Sequence, residues 1–330
     1  MTKATALAHP NIALVKYWGK RDQRLNLPAS ASLSLTLAGM ETRTSVEFDE
    51  ALEGDLVELN GVLLTHAHNL QRVTAFLDRV REMSGRRRFA RVQTHNNFPT
   101  SAGLASSASA FAALALAASA AADLELSASE LSVLARLGSG SAARSIFGGF
   151  AEMKVGHRPD GQDSFAVGLA DEAHWDLRCL VAITAHGEKA IGSTDGMLQT
   201  MSSSPYYDPW IAHVPGDIEA ARQAIAARDF EALGVVAERS CLRMHASALA
   251  ADPGILYWNP TTVRLIHGVR LARAQGLPVF FTIDAGPHVK VFCPANERAA
   301  CETILRDVEG VLDVLSTRPG PGAHLLDERL

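Results

Sequence analysis

The sequence predicts an α+β protein built in two domains. Three observations predict it. The chain of 330 residues is longer than one hydrophobic core usually fills. Strand-like alternation and helix-like spacing occur in both halves, which suggests two layered α+β units. The texture then changes at the apolar run from Leu177 to Thr184, so the boundary is placed just before it, giving residues 1–176 and 177–330.

The elements follow in order. Residues 4–16 run apolar and end at Val15, which predicts a strand, and Ser32-Leu33-Ser34-Leu35-Thr36-Leu37 alternates strictly. Thr44 to Phe48 alternates more loosely, and Asn60-Gly61 predicts a hairpin turn between two short strands. Leu70, Val73, Phe76, Leu77 and Val80 give helical spacing up to Met83, and Phe89 to His95 reads as a strand. Ser127 or Ser129 caps a helix to Leu137, and a strand pair is expected around Phe150 to Met153. The second half opens on the strand Leu177 to Thr184. Helices follow at Thr194 to Ser203, Ile218 to Arg228, Phe230 to Ala246, Pro260 to Gln275 and Asn296 to Val308, with strands at Val279 to Ile283, Val289 to Cys293 and Val311 to Leu315. Gly320-Pro321-Gly322 reads as a tight turn, or as backbone that approaches a ligand.

Composition narrows the function. The chain is 47% hydrophobic and 20% charged, an ordinary globular balance. Its net charge of −5, from 31 basic and 36 acidic residues, argues against a broad nucleic-acid surface. Cationic partners for an anionic ligand must therefore be clustered locally. Cys179, Cys241, Cys293 and Cys301 are scattered with no Cys-x-x-Cys and read as free thiols of a reducing compartment. No secretory signal is expected, and the run Ala108 to Ala122 is too short and too weakly apolar to span a bilayer. The expectation is a cytoplasmic enzyme with no nucleic-acid or membrane partner.

Four motifs carry chemistry. Asn96-Asn97-Phe98-Pro99-Thr100-Ser101-Ala102-Gly103-Leu104-Ala105-Ser106-Ser107-Ala108 runs from a polar strand end through a glycine into the start of an alanine-rich helix. Unpaired N–H groups and the helix dipole make such a start a place for phosphate, with Ser106 and Ser107 as added donors. By itself the segment reads equally as a capped helix. Lys16-Tyr17-Trp18-Gly19-Lys20 follows a strand and offers two point charges and a phenol. Gly138-Ser139-Gly140-Ser141 leads to Arg144, whose planar fork suits a carboxylate or phosphate. Asp284-Ala285-Gly286-Pro287 places an acid at the end of an apolar strand, where it is costly unless paired or working, although a turn explains it as well. His66 and His68 do not share a helix face, and no transition-metal site is expected.

Together these motifs resemble the diphosphomevalonate decarboxylase family of the GHMP kinase superfamily. Asn11-Ile12-Ala13 through Lys20 looks like the family's opening motif, and Asn96 to Ala108 like its phosphate loop. Gly138 to Arg144 is similar to its serine and arginine segment, Gly192-Ser193-Thr194-Asp195-Gly196-Met197 to its Ser-Thr-x-Gly-Met segment, and Asp284 to Pro287 to its catalytic aspartate motif. The five stand in the family's order and cover most of the chain.

The resemblance implies a two-domain GHMP kinase-like fold with the active site in the cleft between domains. It implies ATP and Mg2+, a cytoplasmic homodimer, and ATP-dependent decarboxylation of (R)-5-diphosphomevalonate to isopentenyl diphosphate, ADP, phosphate and CO2. By the same resemblance Asp284 would orient or deprotonate the 3-hydroxyl, with Lys16 beside it and Arg144 on the C1 carboxylate. Tyr17, Lys20, Arg72, Ser139, Ser141 and Ser193 would bind the substrate. Asn96, Gly103, Leu104, Ala105, Ser106 and Ser107 would hold ATP, with Ser107 also on Mg2+.

Two departures stand out. Pro28-Ala29-Ser30-Ala31-Ser32 replaces the family's frequent Asn-Ser-Ser after the proline, and His288 replaces its usual Asn. They bear on nucleotide or substrate detail rather than on reaction class. Rival expectations are a phosphomevalonate decarboxylase, a mevalonate 3-kinase that stops after phosphoryl transfer, or a relative that only binds. Lys20 and Arg72 favour a substrate with a charged 5-end, and the retained Asp284, Ser106, Ser107 and Arg144 favour an enzyme.

Overall fold

A computed structural model describes residues 3–98, 106–187 and 189–327. The first half runs β1 (Lys3–Ala8), β2 (Asn11–Val15), β3 (Lys20–Asp22), β4 (Leu27–Pro28), β5 (Ser32–Thr36), β6 (Thr42–Asp49), β7 (Leu56–Leu59) and β8 (Val62–Leu63). It continues through α1 (Ala67–Ser84), β9 (Phe89–Asn96), α2 (Ser106–Ala121), α3 (Ala128–Gly138), α4 (Ala142–Ser145), β10 (Phe150–Met153) and β11 (Ala166–Ala170). The second half runs β12 (Leu177–Ile183), α5 (Ser193–Ser203), α6 (Tyr207–Ala227), α7 (Phe230–Leu249), α8 (Pro260–Ala274), β13 (Phe280–Ile283), β14 (Val289–Pro294), α9 (Arg298–Arg306), β15 (Asp313–Thr317) and β16 (His324–Leu326).

One sheet has the order β16-β1-β6-β9-β7-β8 and buries Val46, Phe48 and Val92 against Phe76, Leu77 and Val80 of α1 and the apolar length of α2. Alanine serves α2 twice, as the best helix former and as a side chain small enough for the helix to lie close to the sheet. Among the described residues no helix is long and apolar enough to cross a membrane. A second sheet, β11-β10-β5-β2, packs Ile12, Leu14, Leu33, Leu35 and Phe150 against Trp210, Val214 and Ile218 of α6 and Val236 and Met244 of α7. A third, β13-β14-β12-β15, buries one face under Leu265, Ile266 and Val269 of α8 and Cys301 and Leu305 of α9. Its other face joins the core of the second sheet through Cys179, Val181, Phe280 and Phe292, so one continuous apolar core ties the halves beneath the cleft.

Several expectations change in structural terms. The strand expected over residues 4–16 is broken at His9-Pro10 into β1 and β2, which lie in different sheets. The helix expected from Ile218 begins at Tyr207 and runs through Pro215. Burial of Trp210 and Val214 against α7 outweighs the hydrogen bond that proline removes. Strands β3, β4 and β16 carry little pattern and lie outside the expected elements, whereas the pair expected around Phe150 is β10 with β11. The expected helix over 296–308 is a short 3-10 turn followed by α9. The Gly320-Pro321-Gly322 run lies against β5, with Gly320 N donating to Thr36 O and Gly320 O accepting from Gly149 N. A Cβ on Gly320 would come within 2.5 Å of the Ala38 nitrogen, so the close approach is to backbone. Beyond it, β16 returns to pair with β1.

Candidate active site

Two strand ends from different halves supply the centre of the site. Lys16 follows β2, and Asp284 follows β13. Lys16 Nζ stands 2.7 Å from Asp284 Oδ1 and also donates to Ala13 O at 2.9 Å. Helix α7 fixes both partners. Ser240 Oγ accepts from the Lys16 backbone N–H at 3.0 Å. Cys241 Sγ accepts from Ile283 N, and His245 Nε2 lies 3.2 Å from Ile283 O. Burial, then the charge of Lys16, pushes His245 down to about 3, so it is neutral and its Nε2–H donates to that carbonyl.

The Asp284 carboxylate is 26% exposed and opens into the cleft. Its second oxygen, Oδ2, is 3.4 Å from Lys290 Nζ. Burial alone would push the carboxyl up. The ammonium groups of Lys16 and Lys290 overrule that and hold it well below the usual carboxylate range.

Arg144 sits on α4 and is buried beneath the cleft floor. Nε donates to Ser34 Oγ at 2.9 Å, Nη1 to Ser32 Oγ at 2.6 Å and Nη2 to Asn11 Oδ1 at 3.2 Å. The alternation of β5 explains this grip. Leu33 and Leu35 enter the core, so Ser32 and Ser34 face the other way, toward the guanidinium. Burial pushes Arg144 down to about 10 against the opposing pull of Tyr17 and Asp284, and it stays charged at neutral pH. Its hydrogen-bond partners among the described residues are neutral. A buried cation with only neutral partners is suited to an anion in the cleft.

Around this centre stand donors aimed inward. The Tyr17 hydroxyl is buried with no hydrogen-bond partner among the described residues. A Cβ on Gly140 would meet it at 2.3 Å, so glycine is needed for the Ser139–Ser141 turn to close over the ring. Gly19, at φ +115°, turns the chain toward Lys20. The hydroxyls of Ser107, Ser139 and Ser141 form a chain with spacings of 3.3 and 3.2 Å. Ser106 also lines the cleft. At the mouth, Lys20 reaches Thr194 Oγ1 at 3.4 Å, and Arg72 donates to Gly138 O at 3.2 Å while lying over the Phe111 ring. Burial and then the charge of Arg72 lower the pKa of Lys20, as expected where two cations act on each other. Ser193, at the start of α5, accepts from Lys189 Nζ at 2.7 Å, and Lys189 also donates to Ala285 O at 2.9 Å.

The cleft that these residues line has a volume of about 1180 Å³. That exceeds the usual range for a single small ligand and leaves room for two. His288 lines it beside Asp284. Its Nδ1 accepts from Thr184 N at 3.1 Å, and burial pushes the ring down to about 4, so a neutral Nε2–H stands where an amide was expected.

The structure thus brings Lys16, Tyr17, Lys20, Arg72, Ser106, Ser107, Ser139, Ser141, Arg144, Ser193 and Asp284 to one cleft. Asn96 is placed elsewhere. Its Oδ1 accepts from Thr42 Oγ1 at 2.6 Å, which braces β9 against β6. Gly103, Leu104 and Ala105 lie outside the described residues. Sequence reading passed over Ser32, Ser34, Lys189, Ser240 and Lys290. Only Lys290 left a signal, as a lone charge in an apolar strand.

The chain matches the family described as diphosphomevalonate decarboxylase-like N-terminal domain over residues 8–166, and the mevalonate 5-diphosphate decarboxylase C-terminal domain over residues 179–317. It is 35% identical to a diphosphomevalonate decarboxylase of Candida albicans, over 100% of this chain and 99% of that one. A solved structure of MDDEF in complex with MVAPP, AMPPCP and magnesium is 42% identical, with a TM-score of 0.92 and 99% of both chains covered. A mevalonate diphosphate decarboxylase from Staphylococcus aureus is 37% identical, with a TM-score of 0.94 over 99% of this chain and 98% of that one.

Proposed function

The chain belongs to the diphosphomevalonate decarboxylase family and carries out ATP-dependent decarboxylation of (R)-5-diphosphomevalonate, and we propose that Asp284, Lys16 and Arg144 are the residues at its reacting centre. The observation that carries this assignment is the ion pair of Asp284 and Lys16 in a cleft that also holds the buried cation Arg144. A tertiary hydroxyl is a poor leaving group, and transfer of the ATP γ-phosphoryl makes it a good one. Such transfer needs mainly positioning and neutralisation of charge.

Asp284 orients the 3-hydroxyl, and Lys16 fixes that carboxylate and neutralises the phosphoryl in transit. Arg144 holds the C1 carboxylate, so that the bond to be broken stays aligned with the departing phosphate. Tyr17, Ser139, Ser141 and Ser193 position the rest of the substrate. Lys20 and Arg72 take its 5-diphosphate, and two cations lining the same cleft favour that end over an uncharged hydroxyl. Ser106 and Ser107 face the nucleotide phosphates. The MVAPP, AMPPCP and magnesium bound by the solved relative support the same ligands here.

Mg2+ prefers oxygen ligands and is usually shared between one or two protein groups, waters and substrate phosphates. The exposed Ser107 hydroxyl, which opens onto the cleft 3.3 Å from Ser139, fits that pattern and would hold it. When bound, the ion neutralises charge on the nucleotide phosphates. The division between the halves is placed just before Leu177. A cytoplasmic homodimer is the working assembly; sedimentation of the purified chain tests the dimer.

Purified protein with Mg-ATP and each of mevalonate, its 5-phosphate and its 5-diphosphate tests the reading. The 5-diphosphate is expected to give ADP and CO2 together at the highest kcat/KM. ADP without CO2 would make the protein a 3-kinase, and preference for the 5-phosphate would move it to the monophosphate decarboxylases.

A further inference from the structure

Lys290, so far only a charge acting on the Asp284 carboxyl, is 1% exposed on β14, between Val289 and Val291. An ammonium buried in an apolar strand costs free energy unless its charge is used. The register pairs Lys290 with Thr282 of β13, so both side chains leave the same face of the sheet, toward the end of β2. Thr282 Oγ1 reaches Ala13 O there, the carbonyl that also accepts from Lys16. Lys16 from the first half and Lys290 from the second thus converge on one carboxylate, at 2.7 Å from Oδ1 and 3.4 Å from Oδ2.

We propose that Lys290 is a positioning residue that acts through Asp284, gripping one carboxylate oxygen while Lys16 grips the other. The proposal rests on the reaction assigned above. Held at both oxygens, the carboxylate stays ionised and cannot swing. It aligns the 3-hydroxyl in the ground state and accepts its proton only late. A loose phosphoryl-transfer transition state tolerates so weak a base, because the hydroxyl sheds its proton as the new bond forms. Two ammonium groups on one carboxylate also leave one net positive charge, which the transferring phosphoryl neutralises.

The steps balance. The 3-hydroxyl oxygen bonds to the γ-phosphorus as the bond from that phosphorus to the bridging oxygen breaks, releasing ADP, and the hydroxyl proton passes to Asp284. The C3–O bond then breaks, and phosphate departs with that electron pair and takes the proton back from Asp284. The C1–C2 bond breaks, C1 leaves as CO2, and its electron pair becomes the C2–C3 double bond. A weakly basic carboxylate suits the return of the proton.

Among the described residues, the charged groups that act on Asp284 are Lys16, Lys290, Lys189 and Arg144. Two histidines and two thiols packed near it are neutral near pH 7. His245 and His288 are pushed down, and the thiols Cys179 and Cys241 are pushed up. Replacing Lys290 by a neutral residue removes one of two close cations, and a carboxyl pKa rises by about one unit or more for such a loss.

The test is the pH dependence of kcat together with a carbon-13 titration of the Asp284 carboxyl in Lys290→Met, Lys290→Gln and Lys290→Arg. The proposal expects the carboxyl midpoint and the acid limb of kcat to move up together by about one unit in the two neutral variants, with KM for either substrate changed less than kcat. Lys290→Arg is expected to keep the wild-type profile. A fall in kcat with the carboxyl midpoint unmoved would make Lys290 a packing residue and overturn the proposal. Should neither neutral variant fold, Lys290→Met is placed on Asp284→Asn. Recovery of folding there upholds the pair, and continued failure overturns it. The carboxyl titration needs no turnover, so a protein inactive on the 5-diphosphate would refute the reaction and leave this result to be read separately.

Discussion

Lys16 Nζ lies 2.7 Å from Asp284 Oδ1 although 268 positions separate the two residues in the chain. Both are fixed by α7, one through Ser240 and the other through the Ile283 backbone. The helix therefore works as a spacer that sets this ion pair between two distant segments. Lys16→Met is expected to lower kcat by about 10²–10⁴-fold, the scale of a lost charge at a transferring group, while nucleotide binding persists. Lys16→Arg is not expected to rescue it, because a planar guanidinium does not fit where a compact ammonium bridges Ala13 O and Asp284. Steady-state kinetics with calorimetric binding of the nucleotide check both.

Arg144→Lys tests the carboxylate grip. Lysine keeps the charge and loses the fork that Ser32, Ser34 and Asn11 hold in plane. A loss of kcat/KM on the order of 10–100-fold is expected, the scale of a charged hydrogen bond. Quantifying CO2 per ADP is the check: a ratio that falls below one shows phosphorylated substrate leaving before it fragments.

Lys20→Met and Arg72→Met test the recognition of the 5-end. Each is expected to raise KM for the 5-diphosphate by about 10-fold or more, with a much smaller change for unphosphorylated mevalonate. Equal losses on both substrates would place these cations elsewhere in the mechanism.

Much of this site was legible because its residues come in short runs. Lys16-Tyr17-Trp18-Gly19-Lys20, Ser139 to Arg144 and Asp284 each announce a polar function beside an apolar strand or helix. What stayed hidden depends on pairing between distant segments. Ser32 and Ser34 read as the wet face of a half-buried strand, yet both are buried because Arg144 covers them. Ser240 and His245 look like ordinary helix residues until β13 and Lys16 are packed against them. The fold shows the same divide. Periodicity found α1, α3, α7 and α8 and most of the strands. The break at His9-Pro10, the early start of α6 at Tyr207 and the return of β16 to β1 are decided by tertiary packing.

His245 and His288 predict acid sensitivity. Both are held neutral in the fold, His245 down to about 3 and His288 to about 4, below the ordinary value of 6.5. The unfolded chain therefore binds more protons than the native one in this window, and stability falls as pH drops from 6.5 toward 4. Asp284 acts in the same direction below the ordinary carboxylate value, since the native carboxylate resists protonation. Urea denaturation at stepped pH is expected to lose on the order of 3 kcal/mol per buried histidine across this range. His245→Asn, if it folds, is expected to flatten the slope.

The most direct measurement is a single-turnover reaction of Mg-ATP and 5-diphosphomevalonate on wild-type protein and on Asp284→Asn, with ADP and CO2 counted in the same quench. Wild type is expected to yield one CO2 for each ADP. Asp284→Asn is expected to bind both substrates and yield neither product on that timescale. Turnover by Asp284→Asn at the wild-type rate would contradict the account.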